Sequence, residues 1–312
     1  MNNVIETWRV VQFANTVLHL SQQKNSRLAP LVRKEQFKGK SEFFDTIGQA
    51  VAVEKAGRNS DTPNLDLTHG RRMVTTKMYE WATLVDRKDK LQNIHNPESE
   101  YAVAARAAFG RTMDDVVIKA AFDVARAGED GSTSVVLPNA QKLAAVSGAA
   151  LSNLNVAALR AAKLKFDAAE VEGPRYMACR SADLIALLTD NQVTSADYNT
   201  VRALVNGEVD TFMGFKFIHS ERMPLAALYD GATFKFDTST GLYSGAGTAL
   251  AATDATCCAF VGDGLILGMN EGIVAKVEER ADKSYSNQVY TSMDLGGVRM
   301  EEEKVVQIVV KA

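Results

Sequence analysis

The chain has 312 residues, 46% of them hydrophobic and 23% charged, which is the composition of a folded protein with one or two compact cores. No run of about 18 apolar residues occurs, and residues 1–6 lack the basic and apolar segments of a signal peptide. We therefore expect a protein without a membrane partner that stays in the cytosol in which it is made.

Positive charge is concentrated near the N-terminus, although the whole chain has a net charge of −3. Residues 1–40 carry seven Lys and Arg against Glu6 and Glu35, which gives about +5 and leaves about −8 for the remainder. A basic arm on an acidic body suits nucleic acid, a scaffold or an acidic neighbouring subunit, and charge alone does not choose among these. A solvated arm without a partner is the other interpretation.

An amphipathic helix and a long extended excursion are predicted for the first 91 residues. Apolar residues recur at helical spacing over residues 4–20. From Ser41 to about Leu91, two extended runs flank a polar tip at 57–63. In the second run, every second residue from Met73 to Val85 is predicted to lie on the same face of a strand. Such an excursion has too few large apolar residues for a core of its own, so it must pack against another chain or domain.

A single long helix is predicted to follow the excursion. Asn96-Pro97-Glu98 is typical of a helix start, because Asn caps free backbone amides and Pro suits the first turn. The helical pattern continues to about Ala127, and Gly128 ends it. At about 1.5 Å per residue this helix would be about 46 Å long, which predicts a spine for the molecule.

The middle of the chain alternates helices and strands, and the C-terminal part is rich in strands. Helices are predicted at about 155–171, from Ser181, and at 195–205, with a strand at Arg175–Cys179 and further strand patterns from Val209. The predicted C-terminal strands, with glycine-rich turns between them, are 259–261, 265–267, 273–277, 288–295, 298–300 and Val305–Val310. Together these elements predict an α+β fold.

No spacing typical of a metal or redox site occurs. The four histidines are widely separated, and none forms a His-x-x-x-His pair with acidic neighbours. Cys179, Cys257 and Cys258 cannot all pair, and an apolar strand follows the last two, which favours burial over thiolate formation. We therefore expect reduced, buried cysteines and neither a metal nor another cofactor.

The other patterns that suggest catalysis have simpler structural interpretations. Gly262-Asp263-Gly264 lacks the Gly-Lys-Ser/Thr of a phosphate loop, so we expect a turn between strands. Asp114 and Asp115 lie mid-helix and a Glu triplet lies near the C-terminus, and we expect both groups on solvated faces or at contacts between subunits. No Gly-x-Ser-x-Gly motif occurs, and no catalytic residue is predicted.

The order of the predicted parts is itself informative. A basic arm, an extended excursion, a spine helix, a compact α/β region and a β-rich return cover essentially the whole chain. The most specific segment is 207–218 followed by Met223-Pro224, in which a Gly-aromatic turn leads into a strand. Further matching segments are 260–263, 273–278, 289–295, 297–298, 305–309, Asp86-Arg87 and Arg111-x-x-Asp114-Asp115. In this order, they resemble the major capsid proteins of tailed bacteriophages with the Hong Kong 97-type fold.

The resemblance implies an α+β chain in five segments. These are an N-terminal arm at 1–40, an extended E-loop hairpin at 41–95, a peripheral domain with the spine helix at 96–139, an α/β axial domain at 140–275 and return strands of the peripheral domain at 276–312. No added decoration domain can be recognised in the sequence. Nor can a set of Lys, Asn and a carboxylate that would form a crosslink between subunits.

The resemblance also implies a function. It predicts a major capsid protein, not an enzyme, that self-assembles through hexamers and pentamers into an icosahedral shell around the double-stranded DNA genome of a phage. Assembly would take place in the cytoplasm of the host bacterium, and the product would be the virion capsid. The implied partners are further copies of the chain, portal and scaffolding proteins, decoration proteins, and DNA contacted without sequence specificity.

Charged residues on or near the excursion are candidates for salt bridges to the acidic face of a neighbouring subunit, and the C-terminal Glu triplet is a candidate acceptor. Simple solubilising charge is an equally good interpretation for any one of them. The candidate residues are Arg58, Arg71, Arg72, Glu301, Glu302 and Glu303.

Three other functions are compatible with parts of the pattern. An encapsulin-like compartment would share the fold but enclose proteins instead of DNA. A cytosolic α/β enzyme would use the excursion as a lid over its active site. A nucleic-acid-binding module would rest on the basic arm alone, without the interleaved aromatic and basic residues expected on a binding sheet.

Overall fold

The computed structural model describes residues 22–55, 57–58, 61, 64–86, 97–148, 150–189, 211–225, 235–237, 240–242, 248–249, 251 and 253–311. Within them the chain forms three α-helices, α1 (Pro97–Phe122), α2 (Val156–Ala168) and α3 (Ser181–Thr189). The same residues form eighteen strands, β1 (Arg33–Gln36), β2 (Ser41–Ile47), β3 (His69–Thr75), β4 (Lys77–Val85), β5 (Ala125–Ala127), β6 (Thr133–Val135), β7 (Lys142–Ala144), β8 (Val146–Ser147), β9 (Ala150–Leu151), β10 (Arg175–Cys179), β11 (Thr211–Phe212), β12 (Phe215–His219), β13 (Lys235–Phe236), β14 (Thr248–Ala249), β15 (Ala255–Val261), β16 (Leu265–Arg280), β17 (Ser286–Arg299) and β18 (Val305–Val310). The predicted helices at 4–20 and 195–205 and the predicted cap Asn96 lie outside the described residues.

A mixed six-stranded sheet, with the order β11-β12-β10-β15-β18-β7, forms one core of the molecule. Its central strands β15 and β18 are buried along their whole length, because both are nearly continuous apolar runs. The odd-numbered residues of β15 pack in one cluster with α2, whereas Cys258 and Phe260 pack in another with α1. The sheet therefore lies between the two helices.

Several predicted elements around this sheet are confirmed. The side chain of Asn155 caps α2 by accepting a hydrogen bond from the backbone amide of Ala158 at 2.9 Å. Strand β10 and helix α3 form where the sequence predicts them. In the segment 211–218, Met213 and Gly214 have positive φ and form the turn between β11 and β12.

The cysteines and the Gly-Asp-Gly segment also agree with the predictions. Cys179, Cys257 and Cys258 are free and buried. Burial raises the pKa of Cys258 to about 12, and it also raises the pKa of the other two thiols. Residues Gly262–Gly264 form a short turn between β15 and β16. The thiols thus act as small apolar side chains in the core.

The spine helix α1 is shorter than predicted, because it ends at Phe122, whereas the predicted helix continued through the residues of β5. Its 26 residues give a length of about 39 Å. The guanidinium of Arg299 donates to the carbonyl oxygens of Ala121 and Asp123 at 2.7 and 3.2 Å. These carbonyls would otherwise be without partners at the helix end, so a cation from a distant strand terminates the helix.

A long hairpin of β16 and β17 forms a second sheet with the order β1-β16-β17-β4. Four shorter strands were predicted here, and they merge into two. The glycines between the predicted strands do not form turns, since Gly268 and Gly296 pair with each other across the hairpin. A Cβ at Gly296 would overlap the carbonyl oxygen of Thr75, and one at Gly268 would lie 2.6 Å from the Phe37 ring. Glycine lets neighbouring elements cross the hairpin closely.

The strands β2 and β3 pair along their whole length and, with residues 48–68 that join them, form the E-loop hairpin. The second predicted run is two strands, because the chain leaves this hairpin at Thr76 and β4 pairs with β17 in the other sheet. The prediction that every second residue from Met73 to Val85 lies on one face also fails at Thr76. Val74 is the fully buried residue of β3, whereas Tyr79 packs inward from β4.

The described part of the basic N-terminal segment is not a solvated arm. Leu28, Ala29, Val32 and Phe37 are buried in the core. Strand β1 pairs in parallel with the first residues of β16. The solvated-arm interpretation is therefore wrong for residues 28–37, which the body holds by hydrophobic burial and by a strand pairing.

Two strands lie at or after residue 276, where the sequence predicts a division of the chain, and that division stays a prediction. Strand β16 runs through that position without a break. Strand β18, which was expected among the return strands of the peripheral domain, lies between β15 and β7 in the six-stranded sheet. An apolar strand without alternation needs burial on both faces, and this central position in the sheet provides it.

Substituting Gly296→Ala should destabilise the subunit, because the new methyl group would overlap the Thr75 carbonyl oxygen. Relieving this overlap must separate β3 from the long hairpin, at a cost of about 1–3 kcal/mol. Gly272→Ala in the same hairpin is the matched control, since a Cβ there has open space. Denaturant unfolding of unassembled subunits measures the difference, and equal midpoints for the two variants would contradict the close crossing.

Candidate assembly surfaces

The E-loop hairpin exposes apolar side chains at the end of its paired strands and beyond them. Ile47, Val51, Val53, Leu65 and Leu67 are between 42% and 71% exposed. Residues 48–55 and 64–68 belong to no strand, although the Gly48 amide donates to the Thr68 carbonyl at 2.7 Å. Single exposed apolar residues are ordinary on a protein surface. A group of them on one projecting segment is typical of a protein contact.

Two arginines that share one carboxylate hold the base of this hairpin. Arg72 Nη2 donates to both carboxylate oxygens of Glu302 at 2.7 and 2.8 Å, and its Nε donates to the Met300 carbonyl at 3.1 Å. Arg299 Nε lies 3.7 Å from the same carboxylate. The side chain of Arg299 is completely buried, which lowers its pKa, and the negative charge of Glu302 opposes that shift.

Arg71, a predicted contact residue, pairs with Asp45 on the adjacent strand. Arg71 Nε donates to Asp45 Oδ1 at 2.6 Å, and its guanidinium lies 5.4 Å from the centre of the Phe43 ring. The hydrogen bond between them lowers the pKa of Asp45 and raises the pKa of Arg71. Both side chains are largely exposed, so the pair contributes little to stability.

The other predicted contact residues lie at the surface. Arg58, near the tip of the hairpin, and Glu303 are exposed, and Glu301 accepts a hydrogen bond from Lys304 Nζ at 2.9 Å. Glu301 and Glu303 line a groove of about 730 Å³ between the E-loop hairpin and the body, together with Glu170. The structure thus brings Arg72 and Glu302 together within one subunit and leaves Arg58 apart from the Glu triplet.

Asp114 was expected on a solvated face or at a subunit contact, and that expectation is wrong. It is completely buried, and it accepts hydrogen bonds from the backbone amides of Arg27 and Leu28 at 3.1 and 3.0 Å. Its neighbour Asp115 pairs with the guanidinium of Arg222, in the loop after β12. Adjacent helix residues point about 100° apart, so α1 holds the N-terminal segment with one carboxylate and the loop with the other.

No helix in the described ranges is long and apolar enough to span a membrane. Within the same ranges, no group of three His, Cys, Asp or Glu residues is arranged to hold a metal ion. The features that stand out are therefore a projecting apolar hairpin, its charged base and the carboxylates of the spine helix.

Solved capsid structures share this fold over nearly its whole length. The capsid protein of cyanophage P-SCSP1u aligns with a TM-score of 0.72 at 16% identity, over 99% of this chain and 95% of that one. The capsid of Ralstonia phage GP4 aligns with a TM-score of 0.70 at 10% identity, over 100% and 98%. The capsid of a native GTA particle aligns with a TM-score of 0.63 at 14% identity, over 98% and 96%. The chain therefore has the α+β fold of Hong Kong 97-type capsid subunits.

The chain belongs to the phage capsid protein family, whose model matches residues 5–311. A comparison with curated proteins finds no match. The protein is accordingly a major capsid protein and a component of the virion capsid, as the order of its parts predicted. Membership of this family also means that the alternative of a cytosolic enzyme with a lid is wrong.

Replacing Glu302 by Gln should destabilise the subunit, because the neutral amide leaves Arg72 and the buried Arg299 without a counter-charge. Hydrogen bonds to charged groups contribute about 1.5–3 kcal/mol each, and a loss of that size is expected in the free energy of unfolding. Glu303→Gln is the matched control, with the same change of charge at an exposed position. If both variants unfold at the same denaturant concentration, the carboxylate does not hold the base of the hairpin.

Proposed function

We propose that this capsid protein assembles through hexamers and pentamers into a closed icosahedral shell around double-stranded DNA. The observation that carries the proposal is the group of exposed apolar side chains on the E-loop hairpin. In a free subunit they face water. When the hairpin lies across a neighbouring copy they are buried, at a gain of about 25 cal/mol per Å² of apolar surface. Because every subunit makes the same contact, burial increases as the shell closes.

Backbone groups of the hairpin support the same proposal. Residues 49–55 and 64–67 are extended and exposed, and they belong to no strand in the described structure. The base of the hairpin belongs to a four-stranded sheet with the order β2-β3-β5-β6, and residues 49–55 and 64–67 lie outside it. Contact with a neighbouring subunit supplies burial and hydrogen bonds to residues 49–55 and 64–67.

Arg71 pairs with Asp45 on its own hairpin, and the other five charged candidate residues divide into two groups. Arg58, Glu301 and Glu303 are exposed and are our candidates for ion pairs between subunits, with the groove beside the Glu triplet as the acceptor site. Arg72 and Glu302 already bind each other within the subunit, so their role in assembly is to hold the hairpin at a fixed angle.

Further partners follow from the proposed shell. DNA inside it is contacted without sequence specificity, and a portal protein, a scaffolding protein and decoration proteins are the proposed protein partners. Assembly takes place in the cytoplasm of the host bacterium. An encapsulin-like compartment is the alternative with the same fold.

The contents of the shell separate these two functions. Particles purified from infected cells should contain DNA that resists nuclease until the shell is opened, because the closed shell excludes the enzyme. Nuclease digestion before and after denaturing the shell, followed by gel electrophoresis and mass spectrometry, is the measurement. Particles that hold a cargo protein and no protected DNA would show a compartment instead.

Removing the tip of the E-loop hairpin should abolish shell formation without unfolding the subunit. Residues 49–67 can be replaced by Asn-Gly, which favours a tight turn and keeps the pairing of Gly48 with Thr68. The expected result is folded subunits of unchanged unfolding midpoint that sediment as small species. Electron microscopy and sedimentation give the readout, and normal closed shells from this variant would exclude the tip as the assembly contact.

A pair of point variants controls for the size of that deletion. Val51→Ser together with Val53→Ser removes apolar contact but keeps the chain length, and both residues are exposed in the free subunit. Leu164→Ser on α2 removes a similarly exposed apolar side chain outside the hairpin. The double variant should require a higher subunit concentration for assembly than the Leu164 variant. The opposite order would place the main contact elsewhere.

A further inference from the structure

The imidazole of His219, at the end of β12, lies between an arginine and a carboxylate. Arg27 Nη1 lies 2.7 Å from His219 Nδ1, and it also donates to the His219 carbonyl oxygen at 2.6 Å. On the other side, His219 Nε2 lies 2.8 Å from Glu221 Oε1. A guanidinium can only donate and an ionised carboxylate can only accept. Both contacts are hydrogen bonds when the ring carries a proton on Nε2 and a lone pair on Nδ1.

Glu221 is kept ionised by its surroundings. The Ser181 hydroxyl and backbone amide both donate to Glu221 Oε1. The hydrogen bonds from Ser181 and then from His219 hold the pKa of Glu221 at about 2. The carboxylate therefore accepts a hydrogen bond from the ring at any pH at which the protein is handled.

The other charged groups around the ring are already paired or neutral. On α1, Asp114 binds backbone amides of the N-terminal segment and Asp115 binds Arg222. On α3, Asp183 pairs with Arg180, the residue before the helix begins. Cys179, the strand neighbour of His219 in β10, is buried with a raised pKa. The two groups that contact the ring nitrogens are thus Arg27 and Glu221.

We propose that His219 is a pH-sensitive latch for the N-terminal segment. A proton added to Nδ1 places an N–H and a positive charge 2.7 Å from the Arg27 guanidinium, so that hydrogen bond is lost and the guanidinium is repelled. The charged ring instead pairs more strongly with Glu221. The docked form binds one proton fewer than the released form, so docking is favoured as the pH rises and lost as it falls.

The location of the ring suits this role. Histidine side chains ordinarily change charge between about pH 5 and 8, and the His219 side chain is 41% exposed, so protons reach it without unfolding. Arg27 links the six-stranded sheet to the segment that leads into the core residues Leu28 and Ala29. Release of its guanidinium removes the contact of that segment with β12 and leaves its contacts with Asp114 and Arg111 on α1.

Hydrogen–deuterium exchange of unassembled full-length subunits tests the latch. Exchange in a peptide covering residues 22–31 is compared at about pH 7.5 and pH 5.5, after correction for the intrinsic pH dependence of exchange. Protection should fall at least about ten-fold at the lower pH, as expected for the loss of one charge-assisted hydrogen bond. His219→Gln offers an oxygen to Arg27 and an N–H to Glu221 but cannot titrate, so its protection should not change with pH. His69→Gln on β3 is the matched control and should behave as the unmodified protein does.

Two results would overturn the proposal. One is an unmodified protein whose corrected protection is the same at both pH values. The other is a His219→Gln variant that loses protection as the unmodified protein does, which would assign the effect to Asp114 or another group. If His219→Gln does not fold, Arg27→Met decides the question, because its protection should be at the lower level at both pH values, with the contacts to Asp114 still in place. An Arg27→Met variant with the protection and pH profile of the unmodified protein would exclude the latch.

Discussion

A fully buried guanidinium is the constraint on which the arrangement of this subunit depends. Arg299 donates to carbonyl groups at the end of the spine helix and to the Val135 carbonyl in β6. Its charge is balanced by Glu302, which Arg72 at the base of the E-loop hairpin also binds. A buried charge without a partner costs several kcal/mol. The helix end, strand β6 and the hairpin base must therefore be placed together before this charge is tolerated.

The fixed base contrasts with the far end of the same hairpin. At the base, β3 passes so close to the long hairpin that glycine is needed at position 296, and charged groups there are paired within the subunit. Toward the tip, apolar side chains such as Val51 face water. One end of the element is stabilised by its own chain, and the other has apolar side chains that are exposed in the single subunit. This division is physically suited to a subunit that folds alone and is completed by its neighbours.

Patterns of hydrophobic burial predicted most of the elements, whereas contacts between distant polar groups decided the rest. Arg175–Cys179 and Val305–Val310 form strands at the predicted residues, because a short apolar run must be buried wherever it lies. The end of α1 depends on Arg299, and the burial of Asp114 depends on amides of the N-terminal segment. Neither partner is near in sequence. The glycines of the long hairpin resembled turns because the strand that crosses them comes from another part of the chain.

The same reasoning explains why the candidate contact residues were harder to predict than the fold. Relatives with 10% and 16% identity keep the fold, since apolar residues of similar volume can replace one another in a core. A contact between identical subunits has no external ligand whose chemistry identifies the site, because both surfaces are encoded in one chain. A change in the hairpin tip alters every copy of that contact at once, and it needs only to match another surface of the same protein. Exposed charges such as those of Arg58 and Glu303 therefore form no sequence pattern that identifies a partner, whereas Glu302 has its partners within the subunit.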